Sequence, residues 1–448
     1  MTPETKPNSS GRPLRVVLVN QYCYPDVAST GHLIHDLAIE LAGRGLQVEV
    51  LTTQPSYGDK DTWVDCPKVQ VEGGATFKRV WVPRVSKNVL AGRAMKDGVF
   101  LLQLGVRMLF GSRHDTVYLY STAPPYGAIV GAAVGLVRRH RYVTLLYDSY
   151  PQLATWVGTF KKGSLIEKVW HRVNRFFYGR ASEAIVLCKA AKRLVCENYP
   201  IDPDRVHPIA NWAPPGFEPV AKQDTNFARE QGLNDDFVLL YSGNMGLYYD
   251  FETVLGAAEL LKDEPFRLVI VGGGGKKADV VKQVEDRNLT NTTVLPYQPF
   301  ETLNDSLNAC DASLVTIAEG IEGISFPSKL YTSLAVGKAI VAISEDWSEL
   351  REKVEAADCG VWAELGDAEG LAAKLRELIH DPARTAAMGE RARSLFELEY
   401  TREASASKYE QVLRLADPNA TGAERTERRA KLKERLGASD IPAEEAAS

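Results

Sequence analysis

The chain has 448 residues, of which 45% are hydrophobic and 25% charged, and it carries a net charge of −5. That length exceeds what one hydrophobic core usually serves and points to two globular domains, while the mild acidity argues against a nucleic-acid partner. Six cysteines without CxxC spacing, no secretory leader and no run of eighteen apolar residues argue against zinc, a disulfide framework and a membrane-spanning helix, and favour a reducing cytoplasm.

In chain order, residues 1–13 are polar and expected to be disordered. Residues 14–20 are a strand apolar on both faces, the expected opening of a doubly wound parallel sheet. A loop over 21–30 leads through Gly31 to a helix over 32–43 and a second strand over 47–52. His32, His35 and Asp36 fall in the first turns of that helix; without a third ligand at matching spacing they read as helix residues, not a metal site.

After a strand over 77–82 comes the segment 88–110, whose last twelve residues are nearly all apolar and are flanked by Arg93, Lys96, Arg107 and Arg113. Twelve residues rise only about 18 Å as a helix, too little to span a bilayer, so the segment is either a buried helix or an interfacial one resting on an anionic membrane surface. A strand over 116–120 and an apolar helix over 127–137 follow, ending in Arg138-Arg139-His140-Arg141, which suits a membrane contact or a helix C-terminus equally. The strand over 143–147 runs into Asp148-Ser149-Tyr150-Pro151, where the acid either faces a ligand or caps the next helix. A helix over 166–179, a strand over 183–187 and a helix over 189–197 complete this half. Asp202-Pro203-Asp204 has the spacing of a metal-binding pair but the composition of a turn. A Pro-rich stretch from residue 213 marks the domain boundary.

The second half repeats the alternation: strands over 237–241, 266–271, 293–295, 312–317 and 339–343 are separated by turns and helices. Gly272-Gly273-Gly274-Gly275-Lys276-Lys277 lacks the Ser or Thr of a Walker A loop and reads as a tight strand-to-helix turn. Gly323 to Ser328 form a turn opening a short helix at Lys329; free N–H groups and a lysine at a helix start suit a phosphate. Helices are expected over 345–354, 367–380, 382–396 and 400–415, and then a charged tail, 417–448, solvated and partly helical between 423 and 436.

The run Pro327-Ser328-Lys329-Leu330-Tyr331, followed by Leu334-Ala335 and Gly337-Lys338, resembles the nucleotide-sugar half of glycosyltransferase family 4. Leu240-Tyr241-Ser242-Gly243-Asn244-Met245-Gly246 and Leu295-Pro296-Tyr297-Gln298-Pro299 upstream complete the likeness. The similarity extends over residues 14–416 and is nearest to the branch that builds bacterial surface polysaccharides. It implies an α/β fold of GT-B architecture, two facing Rossmann-like parallel-sheet domains with a cleft between them. The expected parts are an acceptor-side domain over 14–212, a linker over 213–222, a nucleotide-sugar domain over 223–397 and a helix over 398–416 returning to the first domain.

The resemblance also implies site residues. Gly243, Asn244 and Met245 would lie against the donor diphosphate, Tyr297 and Gln298 would read the base, and Ser325, Pro327, Ser328, Leu330, Tyr331 and Thr332 would line the donor around Lys329. Gly31 would let the backbone approach a phosphate. Asp148 would orient the acceptor hydroxyl and take its proton. Two positions depart from the family pattern. No Arg or Lys follows Gly243, and Ile324 and Thr332 stand where relatives carry a glutamate pair, with Glu319 and Glu322 nearby at other spacing. Lys329 is thereby left with more of the electrostatic work.

The reading is a retaining glycosyltransferase that moves a sugar from a UDP- or GDP-linked donor to a hydroxyl of a lipid-linked or polysaccharide intermediate. It needs no cofactor or metal, and works in the cytoplasm or peripherally on the inner face of the membrane. A sugar-nucleotide epimerase of the same fold and a non-catalytic sugar-nucleotide-binding subunit are the alternatives.

Overall fold

The computed structural model describes residues 13–26, 28–57, 63–83, 90–111, 115–124, 127–138 and 140–437. Contacts divide the chain into two units, one formed by Met1–Ala210 with Arg402–Ser448 and the other by Asn211–Thr401.

Unit 1 begins with β1 (Arg15–Val19), α1 (Ser29–Gly43), β2 (Gln47–Thr53), β3 (Val69–Glu72), β4 (Ala75–Val80), α2 (Leu90–Gly111) and β5 (Thr116–Ser121). It continues with α3 (Gly127–Val137), β6 (Arg141–Leu146), α4 (Gln152–Trp156), α5 (Leu165–Tyr178), β7 (Glu183–Val186), α6 (Lys189–Asn198) and β8 (Val206–Pro208). Among the described residues the sheet order is β3-β4-β2-β1-β5-β6-β7-β8, parallel except for the β3–β4 hairpin. The chain therefore winds outward from β1 in one direction and, after returning, from β5 in the other. The gap between the β1 and β5 loops is the topological switch point, where the carboxyl ends of a parallel sheet leave room for a ligand.

Unit 2 comprises α7 (Asn226–Gln231), β9 (Phe237–Asn244), α8 (Glu252–Leu260), β10 (Phe266–Gly273), α9 (Lys277–Asp286), β11 (Thr292–Leu295) and α10 (Leu303–Asn308). Then follow β12 (Ala312–Thr316), α11 (Lys329–Ala335), β13 (Ala339–Ser344), α12 (Glu349–Ala356), β14 (Gly360–Glu364), α13 (Ala368–His380) and α14 (Pro382–Leu395). The sheet order is β11-β10-β9-β12-β13-β14, all parallel, so its switch point lies between β9 and β12. The strands are near-continuous apolar runs because helices cover both faces. Leu239, Tyr241, Leu268, Ile270, Leu314, Val341 and Ile343 are fully or almost fully buried with Leu255, Ala258, Leu371 and Leu375 from α8 and α13. Each such aliphatic side chain contributes about 1.5–3 kcal/mol by leaving water.

The chain then returns to unit 1 as α15 (Arg402–Leu415) and α16 (Gly422–Gly437). Arg402 and Arg44 both pair with Glu40 of α1, and the Ser405 hydroxyl donates to the Ala210 carbonyl. The helix expected between 423 and 436 is present as α16, and what is corrected is its attachment. That stretch is a docked helix whose Leu432 is fully buried and whose Arg429 donates to Glu183 at 2.7 Å, the same carboxylate that His207 meets at 2.7 Å. Residues 1–12 and 438–448 lie outside the described residues.

Other departures have local causes. α1 starts at Ser29, three residues before the expected helix, so Ser29, Thr30 and Gly31 form its first turn instead of an open loop. The short strands β3, β8 and β14 carry too few alternating positions to stand out from loop sequence.

Candidate active site

At the switch point of unit 2 the loops after β9, β10 and β12 are stitched together by backbone. The Met245 N–H donates to the Gly273 carbonyl at 2.7 Å, the Lys276 N–H donates to the Met245 carbonyl at 2.9 Å, and the Ala318 N–H donates to the Tyr248 carbonyl at 2.7 Å. The Lys276 ammonium donates to the Tyr249 carbonyl at 2.7 Å. Glycine is required where these chains touch: Gly272 has φ +143°, and a Cβ there would lie 1.9 Å from the Gly243 oxygen. The glycine run is thus a tight turn, as its lack of a Walker A ending indicates.

Lys329 fills the space that Gly243 leaves. Gly243 has φ +137°, and a Cβ on it would fall 2.7 Å from the lysine Cε. The Lys329 Nζ sits 3.6 Å from the centre of the Tyr249 ring and 4.9 Å from that of Tyr241. Among the described residues it meets no carboxylate or carbonyl acceptor, and burial pushes its pKa down to about 7. The ring faces favour the cation and so act against that depression. A largely buried ammonium cradled by two aromatic rings, at the switch point and without an anion, is a site prepared for a negative ligand.

Several donor-side expectations change. The α11 start supplies fewer free N–H groups than a helix end normally does, because Leu330 N–H donates to the Pro327 carbonyl at 3.1 Å and Tyr331 N–H to the Ser328 carbonyl at 3.2 Å. α11 is also only seven residues long, so its dipole is small and the positive field comes chiefly from Lys329. Leu330 and Tyr331 are 1% exposed and Met245 is fully buried; their side chains pack the core and leave only backbone to a ligand. Tyr331 stacks on Phe326 and contacts Tyr400. Thr332 donates its hydroxyl to the Lys329 carbonyl at 3.1 Å. Pro327 is buried, Ser325 half-buried, and Ser328 and Asn244 are exposed at the same end of the sheet. Tyr297 projects with its ring against Gly273 and its hydroxyl donating to the Gly273 carbonyl at 3.1 Å, while Gln298 is half-buried and bonds within its own loop to the Pro296 carbonyl.

A hollow of unit 2, about 690 Å³, lies at the amino ends of the strands among Pro219, Lys222, Asp311, Lys338 and Arg393. That is the edge opposite the switch-point loops, where parallel sheets do not present ligand-binding ends, and we give it no donor role.

In unit 1 the switch point opens into a cavity of about 430 Å³ lined by loops after β1, β2, β5 and β6, with Asp148 half-buried on its wall. The residue before α4 is Pro151, three positions beyond Asp148, and the Leu153 N–H donates to the Ser149 carbonyl. Its loop is held from behind by α5, where Asn174 donates to the Tyr150 carbonyl at 2.7 Å and Trp170 stacks on the Tyr150 ring. Gly31 is not an open phosphate contact. It is buried, and a Cβ there would meet the Tyr22–Cys23 backbone at 3.1–3.2 Å, so the glycine serves the packing of α1 on the β1 loop. His35 stacks on Phe77 inside the unit, as a helix residue should.

The apolar helix is corrected too. Of its four flanking cations, Lys96 is 1% exposed and lines this cavity, Arg107 is exposed, and Arg113 and the Arg93 side chain lie outside the described residues, as does Arg139.

Two family models match the chain: "Glycosyl transferases group 1" over residues 222–395 and "Glycosyl transferase 4-like domain" over residues 30–212. The putative colanic acid biosynthesis glycosyl transferase WcaI of Escherichia coli K12 is 34% identical over 368 residues, 79% of this chain and 89% of its own. The chain belongs to the GT-B glycosyltransferases. The probable glycosyltransferase WbjE of Pseudomonas aeruginosa is 26% identical over 405 residues, 89% of this chain and 98% of its own. Among solved structures, the sucrose-phosphate synthase of Thermosynechococcus elongatus aligns with TM-score 0.67 at 16% identity, covering 90% of this chain and 98% of that one. HepE of Anabaena, in complex with UDP, aligns with TM-score 0.65 at 14% identity, covering 89% and 99%. These two likenesses concern the fold.

In this glycosyltransferase the residues that sequence reasoning passed over are the partners of the ones it found. Tyr241 and Tyr249 box Lys329, and the only hint was that one tyrosine precedes and another follows the glycine turn at Gly243–Gly246. Lys96 and Asp97 were legible as opposite charges side by side on an apolar helix, but their inward direction required the fold.

Proposed function

We propose that the protein is a retaining glycosyltransferase whose unit 2 holds a nucleoside diphosphate-sugar, UDP- or GDP-linked, and whose unit 1 holds the acceptor. The observation that carries the reading is Lys329, a largely buried cation at the β9–β12 switch point with no anion beside it among the described residues. As the acceptor oxygen bonds to the anomeric carbon, the bond from that carbon to the diphosphate oxygen breaks. Its electron pair stays on the leaving diphosphate, where Lys329 meets the added charge, and the hydroxyl proton passes to Asp148. Retention means that the new bond forms on the face of the sugar from which the old one left. No metal is needed if Lys329 and backbone N–H groups hold the diphosphate. The involvement of WcaI in colanic acid biosynthesis favours a polysaccharide or lipid-linked acceptor.

A membrane-facing acceptor is supported by the surface of unit 1. No helix among the described residues is long and apolar enough to cross a bilayer. Yet α2 exposes Leu102 and Phe110, α3 exposes Leu136 and Val137, and α5 exposes Leu165, Ile166 and Val169 beside Lys161, Lys162, Lys168 and Arg172. Apolar side chains edged by cations fit the headgroup region of an anionic bilayer. Exposed cations therefore edge both helices, Arg107 on α2 and Lys161, Lys162, Lys168 and Arg172 on α5 and the turn before it.

Thermal-shift measurements against UDP, GDP, ADP and TDP test the donor reading, with UDP first because HepE is in complex with UDP. A ligand at a hundred times its dissociation constant stabilises by about 2.7 kcal/mol. Stabilisation by one or two of these is expected; none by any of them contradicts the reading.

A further inference from the structure

Lys96 and Asp97 are adjacent on α2, whose inner face is otherwise built from Phe100, Leu104 and Met108, and both turn inward, 1% and 7% exposed. Asp97 Oδ1 accepts from the Gln21 side-chain amide at 2.8 Å. Gln21 is itself fixed at the end of β1: its N–H donates to the Ala123 carbonyl at 2.7 Å, and its own carbonyl accepts from the Thr53 N–H at 3.1 Å and from the Thr52 and Thr53 hydroxyls. Lys96 donates to the Ser56 carbonyl at 3.4 Å and lies 4.9 Å over the Tyr22 ring, which meets Tyr57 edge-on at 5.0 Å. Buried opposite charges stabilise a fold poorly compared with apolar side chains of the same size. These two do not sit in dry core; both line the Asp148 cavity.

We propose that Lys96 and Asp97 are specificity residues that read the hydroxyls of an uncharged pyranose, the acceptor residue, in this cavity. This rests on the reading of unit 1 as the acceptor side. A carboxylate that accepts from hydroxyls, an ammonium that donates to them and tyrosine rings for the apolar face of a sugar are the groups such recognition needs. The charge balance sets the class of sugar. Among the described lining residues there is one cation, Lys96, against two carboxylates, Asp97 and Asp148, so a uronate or sugar phosphate would enter against net negative charge. The cavity selects neutral sugars, and any phosphate of the acceptor stays outside it.

The test is saturation-transfer NMR on the full chain with octyl β-glucoside, octyl β-galactoside, octyl N-acetyl-β-glucosaminide and octyl β-glucuronide. At least one neutral glycoside binds and the glucuronide does not; Asp97→Asn and Lys96→Met weaken the neutral glycoside ~10-fold or more, and Asp97→Asn narrows the preference against glucuronide. Nucleotide stabilisation of both variants stays at the wild-type level, which separates a lost sugar contact from a damaged fold. Glucuronide binding as well as the neutral set by the wild type, a comparison that needs no variant, overturns the proposal, as does the failure of every neutral glycoside to bind. If glycosides fail while nucleotide stabilisation persists, this inference falls alone; if no nucleotide stabilises the protein, the donor reading falls instead.

Discussion

Gly243 and Lys329 share one volume: a methyl group on the glycine would overlap the lysine Cε at 2.7 Å, and the glycine φ of +137° is one that L side chains rarely adopt. The absent side chain of one residue is the binding position of the other. Gly243→Ala is therefore expected to push Lys329 off the Tyr249 ring and to lose nucleotide stabilisation, with an added cost of about 1–3 kcal/mol from backbone strain. Thermal shift with and without UDP or GDP measures both, and an alanine variant that responds to nucleotide as the wild type does contradicts this packing argument.

The burial of Lys329 also predicts a pH dependence. Its folded pKa, about 7, is below the ordinary value of 10.5, so the unfolded chain binds this proton more tightly. Stability at this position is therefore highest above pH 10.5 and is lost as pH falls towards 7. Lys329→Met, which carries no proton, should be more stable than the unliganded wild type at pH 6, with the gap closing towards pH 10. A diphosphate reverses the depression, so binding at pH 8 should take up a proton, seen as buffer-dependent calorimetric enthalpy. A stability gap that does not change with pH contradicts it.

Much of this was open to sequence reasoning, for definite reasons. The strands of both sheets are short apolar runs punctuated by glycine, so 266–271 and 339–343 could be placed to within two residues of β10 and β13. Lys329 stood out because a lysine just inside a helix start has a chemistry of its own. Direction was not legible. Nothing local tells that Lys96 points inward while Arg107 points out, that Leu330 and Tyr331 are core, or that Leu432 makes a charged segment a docked helix. Gly31 was misread because a glycine needed for backbone packing and one needed for a phosphate look alike in sequence.

Asp148 stands on the wall of the unit 1 cavity. Asp148→Asn keeps its size but replaces one acceptor oxygen by an N–H donor group and removes its basicity. Turnover is expected to fall ~10²-fold or more while nucleotide stabilisation stays unchanged. Sugar transfer followed by nucleotide release checks the first, and near-normal turnover would remove Asp148 from the reaction.

For the membrane face, the protein is expected to sediment with anionic vesicles at low salt and to be released as salt rises. Because each basic residue near such a surface is worth about 1 kcal/mol, replacing Lys161, Lys162, Lys168 and Arg172 together by Gln should weaken partitioning about 10²-fold or more. Partitioning unchanged by the four substitutions would contradict the assignment of α5.

The central claim is that Lys329 meets the charge that grows on the leaving diphosphate. A group of that kind acts more strongly on the transition state than on the bound donor, and losing one such contact typically costs about 2.7–4 kcal/mol, or 10²–10³ in rate. The most direct measurement is steady-state transfer by the wild type, Lys329→Arg and Lys329→Met with the nucleotide-sugar identified by thermal shift. The account predicts that Met loses kcat by that factor and raises the donor KM, and that Arg recovers part of both. Equal kcat and KM in all three proteins would contradict it.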